Sequence, residues 1–254
     1  MQSLRKIKFT GDYDSWVDAA AHSTGYDAAV ILERTCAALL KVKNGEAVFE
    51  RDSVLFQQPQ YAFPVLAALL RAAVDADGRI AVVDFGGSLG SSYFQCRRFF
   101  PARAVVEWCV VEQAAHVACG REQFENKELR FFESIEDCMT KHRPDTLLLS
   151  SVLQYLPDPY SMLNRLLNCR LRHLIIDRTP FLVTARDRLT VQHVPDWIYP
   201  ASYPAWFFNE SRFVEAIGSA GYVLVSDFKG SDDISPLRES AYFKGFIYER
   251  VPRV

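Results

Sequence analysis

Residues 82–94 read VVDFGGSLGSSYF, an apolar run that ends in an acid, Asp84, followed by Gly86, Gly87, Ser88 and Gly90. Glycine adopts positive φ at little cost and lets a ligand approach the backbone closely. A helix starting just after such a turn presents free backbone N–H groups. The stretch therefore reads as a cofactor cradle. A dinucleotide cradle needs G-x-G-x-x-G. Counted from Gly86, that pattern requires glycines at 88 and 91, where the chain has Ser88 and Ser91. The alternative pattern, acid-x-Gly-x-x-x-Gly, is met by Asp84, Gly86 and Gly90.

Other polar groups fall at the ends of apolar runs. Glu112 and Gln113 follow VVEWCVV, and Glu133 and Ser134 follow Phe131 and Phe132. Ser150 and Ser151 follow TLLL, and Asp177 and Arg178 follow HLII. A carboxylate at such a position can accept two hydrogen bonds from a diol. Downstream, residues 177–208 are dense in polar and aromatic groups, among them Thr179, Gln192, His193, Tyr199, Tyr203 and Trp206. Aromatic faces with a few directed polar groups suit a sugar-like ligand, and equally suit a loop packed on a core. His193 is a candidate general base, because histidine exchanges protons near neutral pH; a structural histidine is the alternative. Asp177 is a second candidate base, or a partner for Arg178. Arg178 itself suits an acidic acceptor or a structural ion pair. Tyr155 either lines the site or packs. No His/Cys/Asp cluster has metal-ligand spacing, and neither a G-x-S-x-G elbow nor a P-loop lysine is present.

The elements that must position these groups follow from hydrophobic patterning. Strand-like runs at 79–84, 105–112, 129–133, 145–150 and 172–177 alternate with helical lengths at 89–100, 114–125, 135–142 and 159–169. Continuous apolar strands between helices predict a parallel sheet covered on both faces. After a helix at 211–220, GYVLVSDF and AYFKGFIYER read as a terminal antiparallel pair. In such sheets ligands bind beyond the carboxyl ends of the strands. Residues 13–44 and 59–74 read as helical and 46–57 as ambiguous, with an extended form one option, so 1–76 is expected to be a mostly helical N-terminal cap. Gln57, Gln58, Gln60 and Tyr61 form a polar cluster that either faces a ligand under such a lid or is the solvated start of a helix at Pro59.

With 49% hydrophobic and 24% charged residues over 254 positions, the chain has the composition of a folded domain. A formal net charge of −2 gives no general drive toward nucleic acid. No apolar run approaches a membrane span, and the N-terminus lacks the features of a signal peptide. The six cysteines contain no C-x-x-C pair, which favours buried free thiols in a reducing cytoplasm.

The ordered matches at Asp84–Gly90, Glu112, Phe132–Ser134 and LLLSSVLQYLPDPYSML resemble class I S-adenosylmethionine-dependent methyltransferases over roughly residues 82–177. That family usually carries a middle glycine where this chain has Ser88. The resemblance implies a Rossmann-like α/β fold over 77–254, mostly parallel with an antiparallel terminal hairpin, and an acceptor-binding insertion around 178–210. It implies that the glycine turn wraps the methionine part of the cofactor, with Asp84 near its ammonium group. Glu112 would bind the ribose, and Glu133 or Ser134 would lie near adenine. GDYDSWVDAAAHSTGYD, GEAVFERDSVLF and IIDRTPF through SYPAWFF also resemble a narrower group of methyltransferases associated with surface-polysaccharide or O-antigen gene sets. That likeness implies a sugar or related small-molecule acceptor. Competing readings are a non-catalytic cofactor-binding or scaffold protein on the same fold, and an NAD(P)-dependent oxidoreductase.

Overall fold

The structure, a computed structural model, describes residues 7–25, 28–51, 53–56, 58–230 and 241–251. Strand β1 (Lys8–Tyr13) leads into helices α1 (Trp16–Ala21) and α2 (Ala28–Lys43). The hairpin of β2 (Phe49–Arg51) and β3 (Val54–Phe56) and helix α3 (Phe63–Asp75) follow. Then come β4 (Arg79–Phe85), α4 (Ser91–Arg97), β5 (Val105–Val111), α5 (Ala114–Gln123), β6 (Leu129–Phe132), α6 (Ile135–Lys141) and β7 (Thr146–Ser150). A 3-10 turn (Leu153–Tyr155) and α7 (Pro159–Leu167) lead to the long strand β8 (His173–Leu182). The chain continues through β9 (Arg188–Val194), β10 (Ala201–Asn209), α8 (Glu210–Ser219), β11 (Tyr222–Lys229) and β12 (Ala241–Arg250).

The apolar runs form strands because each is covered twice. Val82, Val110, Leu148 and Ile175 face one core, shared with α2, α3, α4 and α5. Their neighbours Val83, Cys109, Val111, Leu147, Leu149, Leu174 and Ile176 face the other, shared with α6, α7 and α8. Side chains alternate across a strand, so a strand buried on both faces reads as one continuous apolar run. Each fully buried Val or Leu contributes about 1.5–3 kcal/mol. Several helices start where capping side chains supply the missing acceptors. Ser134 caps α6, Asp158 caps α7 just before Pro159, and Asn209 caps α8.

Strands β6, β5, β4, β7 and β8 run parallel in that spatial order, and β12 then β11 extend the sheet antiparallel beyond β8. The chain steps outward from β4 through β5 to β6 and returns to the other side of β4 at β7. The topological switch point therefore lies between β4 and β7, and the Asp84–Gly90 turn leaves β4 at its carboxyl end.

Two segments differ from the sequence reading. Residues 178–210, for which the patterning gave no strands, contain the second half of β8 with strands β9 and β10. Past Asp177, β8 pairs with Phe208 and Asn209 of β10, and β10, β9 and β1 continue as an antiparallel sheet. Buried polar residues on β9, Thr190 and Gln192, mask its alternation. The N-terminal segment has its helices, but also β1 and the β2–β3 hairpin. Strand β1 is largely exposed, so its own pattern carries no signal; its hydrogen bonds to β9, far along the chain, define it. Leu39 of α2 is buried in the same core as Val65, Leu69 and Val82. Deleting residues 1–55 would therefore strip part of a core face.

The six cysteines are free; Cys36 of α2 meets Cys119 of α5 with sulfurs 3.4 Å apart. Among the described residues no helix is long and apolar enough to cross a membrane.

Candidate functional site

The turn after β4 is built from backbone that few residues tolerate. Gly86 N–H donates to the Val111 carbonyl (2.9 Å), which ties the turn to β5. Gly86 has φ +71°, and a Cβ there would lie 2.3 Å from Val152 Cγ2. A Cβ on Gly87 would lie 2.4 Å from the Asp84 carboxyl carbon. Ser88 also has positive φ, +54°, at a cost of about 1–2 kcal/mol for a residue with a side chain. Gly90 is outside the cavity wall: it is the N-cap of α4 at φ +92°, and a Cβ there would lie 3.1 Å from Leu129 Cδ2.

Asp84 is 1% exposed. Its Oδ2 accepts from Trp108 Nε1 (3.1 Å), while Oδ1 has no partner among the described residues. Burial pushes its carboxyl up to about 7; the Trp108 hydrogen bond pulls it down, Glu112 raises it and Arg178 lowers it. Glu112, just past β5, accepts from Ser88 N–H (3.3 Å) and Gln113 N–H (2.8 Å). These two backbone donors aim the carboxylate and leave it acceptor capacity.

Asp84, Gly86, Gly87, Ser88, Glu112, Gln113, Glu133, Ser134, Ser150 and Ser151 share the wall of one cavity of about 1160 Å³. Single-ligand pockets run to roughly 300–1,000 Å³, so this one has room for two ligands. Ser134 lines it while its hydroxyl accepts from Asp137 N–H (3.1 Å) as the α6 cap. Phe132 does not line it. That ring is buried in the core, 5.2 Å from the His142 ring, because strand alternation turns it away from the ligand edge, which Glu133 and Ser134 reach just past the strand.

Side by side where the parallel pairing of β7 with β8 ends, Ser150 Oγ donates to Asp177 Oδ2 (3.2 Å) and Arg178 Nε lies 4.0 Å from the same oxygen. Ser151 and Arg178 have φ of +55° and +49°. These left-handed residues interrupt the alternation, so consecutive side chains in both pairs line the cavity. The Gln154 amide holds the two kinks together, donating to Ser151 Oγ (2.9 Å) and to the Arg178 carbonyl (3.4 Å).

Above them, Tyr155 OH donates to Gln192 Oε1 (2.9 Å), and Gln192 Nε2 donates to Tyr203 OH (3.1 Å). Tyr199 OH lies 3.2 Å from Tyr203 OH. All four residues line the cavity. His193 does not, and it is withdrawn as a candidate base. Adjacent to inward-facing Gln192 on β9, it points to the exposed face and bonds Thr10 Oγ1 (2.8 Å). Trp206 is also outside the wall; its Nε1 donates to the Leu156 carbonyl (3.1 Å) and its ring packs under α1.

The N-terminal segment contributes residues that local pattern did not single out. Phe9, Trp16, Ile31, Thr35, Glu50 and Arg51 all line the cavity. Glu50 is buried and accepts from Ser91 Oγ (2.7 Å) and Ser53 N–H (2.8 Å). Gln60 and Tyr61 line the cavity, Gln58 is exposed outside it, and Gln57 lies outside the described residues. His116, also missed, lines the cavity from α5. Lone polar residues inside helical or strand patterns carry no spacing signal.

Metal-type donors do meet elsewhere, which the spacing did not foretell. Glu107, Cys109 and His142 bring ligand atoms within 4.8 Å of one another. Arg79 donates to Glu107 Oε2 (2.6 Å) and reaches Asp145 at 3.8 Å. Burial pushes Glu107 up, but hydrogen bonds from His142 and Arg79 outweigh it and hold the carboxyl below its ordinary range. With a guanidinium already on the carboxylate, the cluster is an ion-pair network.

No protein family and no curated protein matches the sequence. Among solved structures, the chain is similar to magnesium protoporphyrin IX methyltransferase (ChlM) from Synechocystis PCC 6803 with bound SAH, at 12% identity and TM-score 0.50, covering 89% of this chain and 100% of that one. It is also similar to the N-terminal domain of EvdMO1 in the presence of SAH and D-fucose (14%, TM-score 0.48, covering 89% and 98%). A third is 1,6-didemethyltoxoflavin-N1-methyltransferase from Burkholderia thailandensis with bound 1,6-didemethyltoxoflavin and S-adenosylhomocysteine (14%, TM-score 0.42, covering 90% and 92%). The first likeness shows the fold: a mostly parallel, Rossmann-like sheet of the class I methyltransferase type.

Proposed function

We propose that the protein is an S-adenosylmethionine-dependent methyltransferase acting on a small-molecule or glycan acceptor. The observation that carries this reading is the positive-φ glycine turn at the switch point, with a buried Asp84 whose Oδ1 has no partner among the described residues. The residues fit the cofactor. Gly86 and Gly87 line the cavity where a Cβ would collide with Val152 and Asp84, so the bare backbone faces the ligand; Asp84 offers an acceptor to an ammonium group, and Glu112 offers one to a diol. When bound, the cofactor supplies an electrophilic methyl group on a sulfonium. The chain's own tasks are to align an acceptor with it, exclude water and take up the acceptor's proton. Asp177, with Arg178 and Ser150 around it, is the candidate proton acceptor. Arg178, Gln192, Tyr155, Tyr199 and Tyr203 form the acceptor wall.

The acceptor wall balances one carboxylate with one guanidinium and otherwise offers hydroxyls, an amide and aromatic faces. That composition supports a neutral hydroxylated ring, in line with the resemblance to polysaccharide-associated methyltransferases. Residues 1–76 act as the cap on this site and 77–254 as the catalytic domain. Calorimetric titration with S-adenosylmethionine, S-adenosylhomocysteine and NAD tests the cofactor, and transfer of a labelled methyl group to a panel of sugars tests catalysis. Tight NAD binding in place of S-adenosylhomocysteine would overturn the reading. Cofactor binding with no transfer to any acceptor would favour the non-catalytic alternative.

Two expectations follow. Glu112→Ala should weaken S-adenosylhomocysteine binding by roughly 1–3 kcal/mol, the cost of leaving polar groups without their acceptor. Unchanged affinity would remove Glu112 from the site. The second concerns pH. With its carboxyl at about 7, Asp84 keeps its proton in the folded chain at pH values where the unfolded chain, at 3.8, has lost it. Its contribution to stability therefore falls as pH rises from about 4 to 7. A bound ammonium pairs with the ionised form, so cofactor affinity should climb between pH 5.5 and 7, and Asp84→Asn should flatten the climb. Titrations at several pH values read this directly; an identical slope in the variant would assign it to another group.

A further inference from the structure

We propose that His116 is a cofactor-binding residue that reads the ribose together with Glu112; this rests on the methyltransferase reading above. His116 lies four residues after Glu112, in the first turn of α5, and lines the same cavity as Glu112, Gln113 and Ser88. Its ring is 3% exposed, yet Nδ1 has no hydrogen-bond partner among the described residues. Buried polar side chains are paired in the large majority of cases, so the partner of this ring is to be sought in the cavity it lines.

The surroundings narrow the ligand. Val117 and Gly120 of α5 turn into the core, while Cys119 meets Cys36 of α2. His116 therefore stands on the helix face toward α2, whose Ile31 and Thr35 line the cavity too. Five carboxylates line the cavity, Glu50, Asp84, Glu112, Glu133 and Asp177, against three guanidiniums, Arg51, Arg165 and Arg178. That balance disfavours a phosphate. A neutral imidazole nitrogen, which donates or accepts according to its tautomer, suits one hydroxyl of a neutral vicinal diol. Glu112 takes hydrogen bonds from that diol, and His116 completes its partners from the α5 side.

The test is calorimetric titration of wild type and His116→Ala with S-adenosylhomocysteine and with its 2′-deoxy and 3′-deoxy analogues. Losing one net hydrogen bond should lower the variant's affinity for S-adenosylhomocysteine by up to about tenfold. For the analogue lacking the contacted hydroxyl, the two proteins should bind alike. Wild-type affinity in the variant, or an equal loss for all three ligands, would overturn the assignment. A wild-type protein that binds none of them would instead overturn the parent reading, and this one with it. Because the ring is buried and the variant can fail to fold, imidazole nitrogen chemical shifts of the ¹⁵N-labelled wild-type protein give a second measurement. Saturating S-adenosylhomocysteine should move the His116 signals; unmoved signals would sink the proposal.

Discussion

Gly86→Val is expected to abolish S-adenosylhomocysteine binding, a loss of at least about 100-fold, or roughly 2.7 kcal/mol. Two effects combine. At φ +71° a β-branched residue is held in a region that costs about 1–2 kcal/mol or more. The new side chain also starts 2.3 Å from Val152 Cγ2, so either the turn or the segment after β7 must move. Overpacking of this kind costs about 1–3 kcal/mol, and it falls on the two loops that form the cradle. Gly221→Val separates the causes. Gly221 has φ +89° with nothing within 4 Å of its Cβ position, so it carries the strain without the collision. The control should lose stability but keep its affinity. Circular dichroism must show both variants folded; retained binding in a folded Gly86→Val protein would mean the turn is not the cradle.

Asp177→Asn is expected to lower the methyl-transfer rate to a hydroxyl acceptor by roughly 10²–10⁴-fold, the usual worth of a positioned general base. The substitution preserves shape, and the carbonyl can still accept from Ser150 Oγ, now 3.2 Å from Asp177 Oδ2. Affinity for S-adenosylhomocysteine should therefore stay within about threefold, confining the effect to the chemical step. Steady-state rates at saturating labelled S-adenosylmethionine, compared with the titration, give the split. An unchanged rate would reduce Asp177 to a structural partner of Arg178, and a parallel loss of cofactor affinity would place it in the cofactor wall.

What the sequence determined by itself was local. Strands β4 to β8 are legible because burial on both faces leaves them as unbroken apolar runs, as in VVDF and LLLS. The Asp84–Gly90 turn is legible because positive φ at a strand end demands residues such as Gly86. Glu112, Ser150 and Asp177 are legible because strand ends in a parallel sheet meet the ligand edge. The tertiary structure decided which way neighbours face. Gln192 and His193 are adjacent on β9, yet one lines the cavity and the other meets Thr10, since a period of two assigns them to opposite faces and pairing with β1 and β10 sets the phase. Phe132 and Trp206 went to the core for the same reason. Arg178 and Ser151 stayed with their neighbours in the wall because left-handed kinks break that alternation, which no residue type other than glycine announces. Glu50, Thr35 and His116 reached the cavity through packing of α2 and the β2–β3 hairpin on α4 and α5. Such contacts join residues dozens of positions apart, and only the folded chain brings them together.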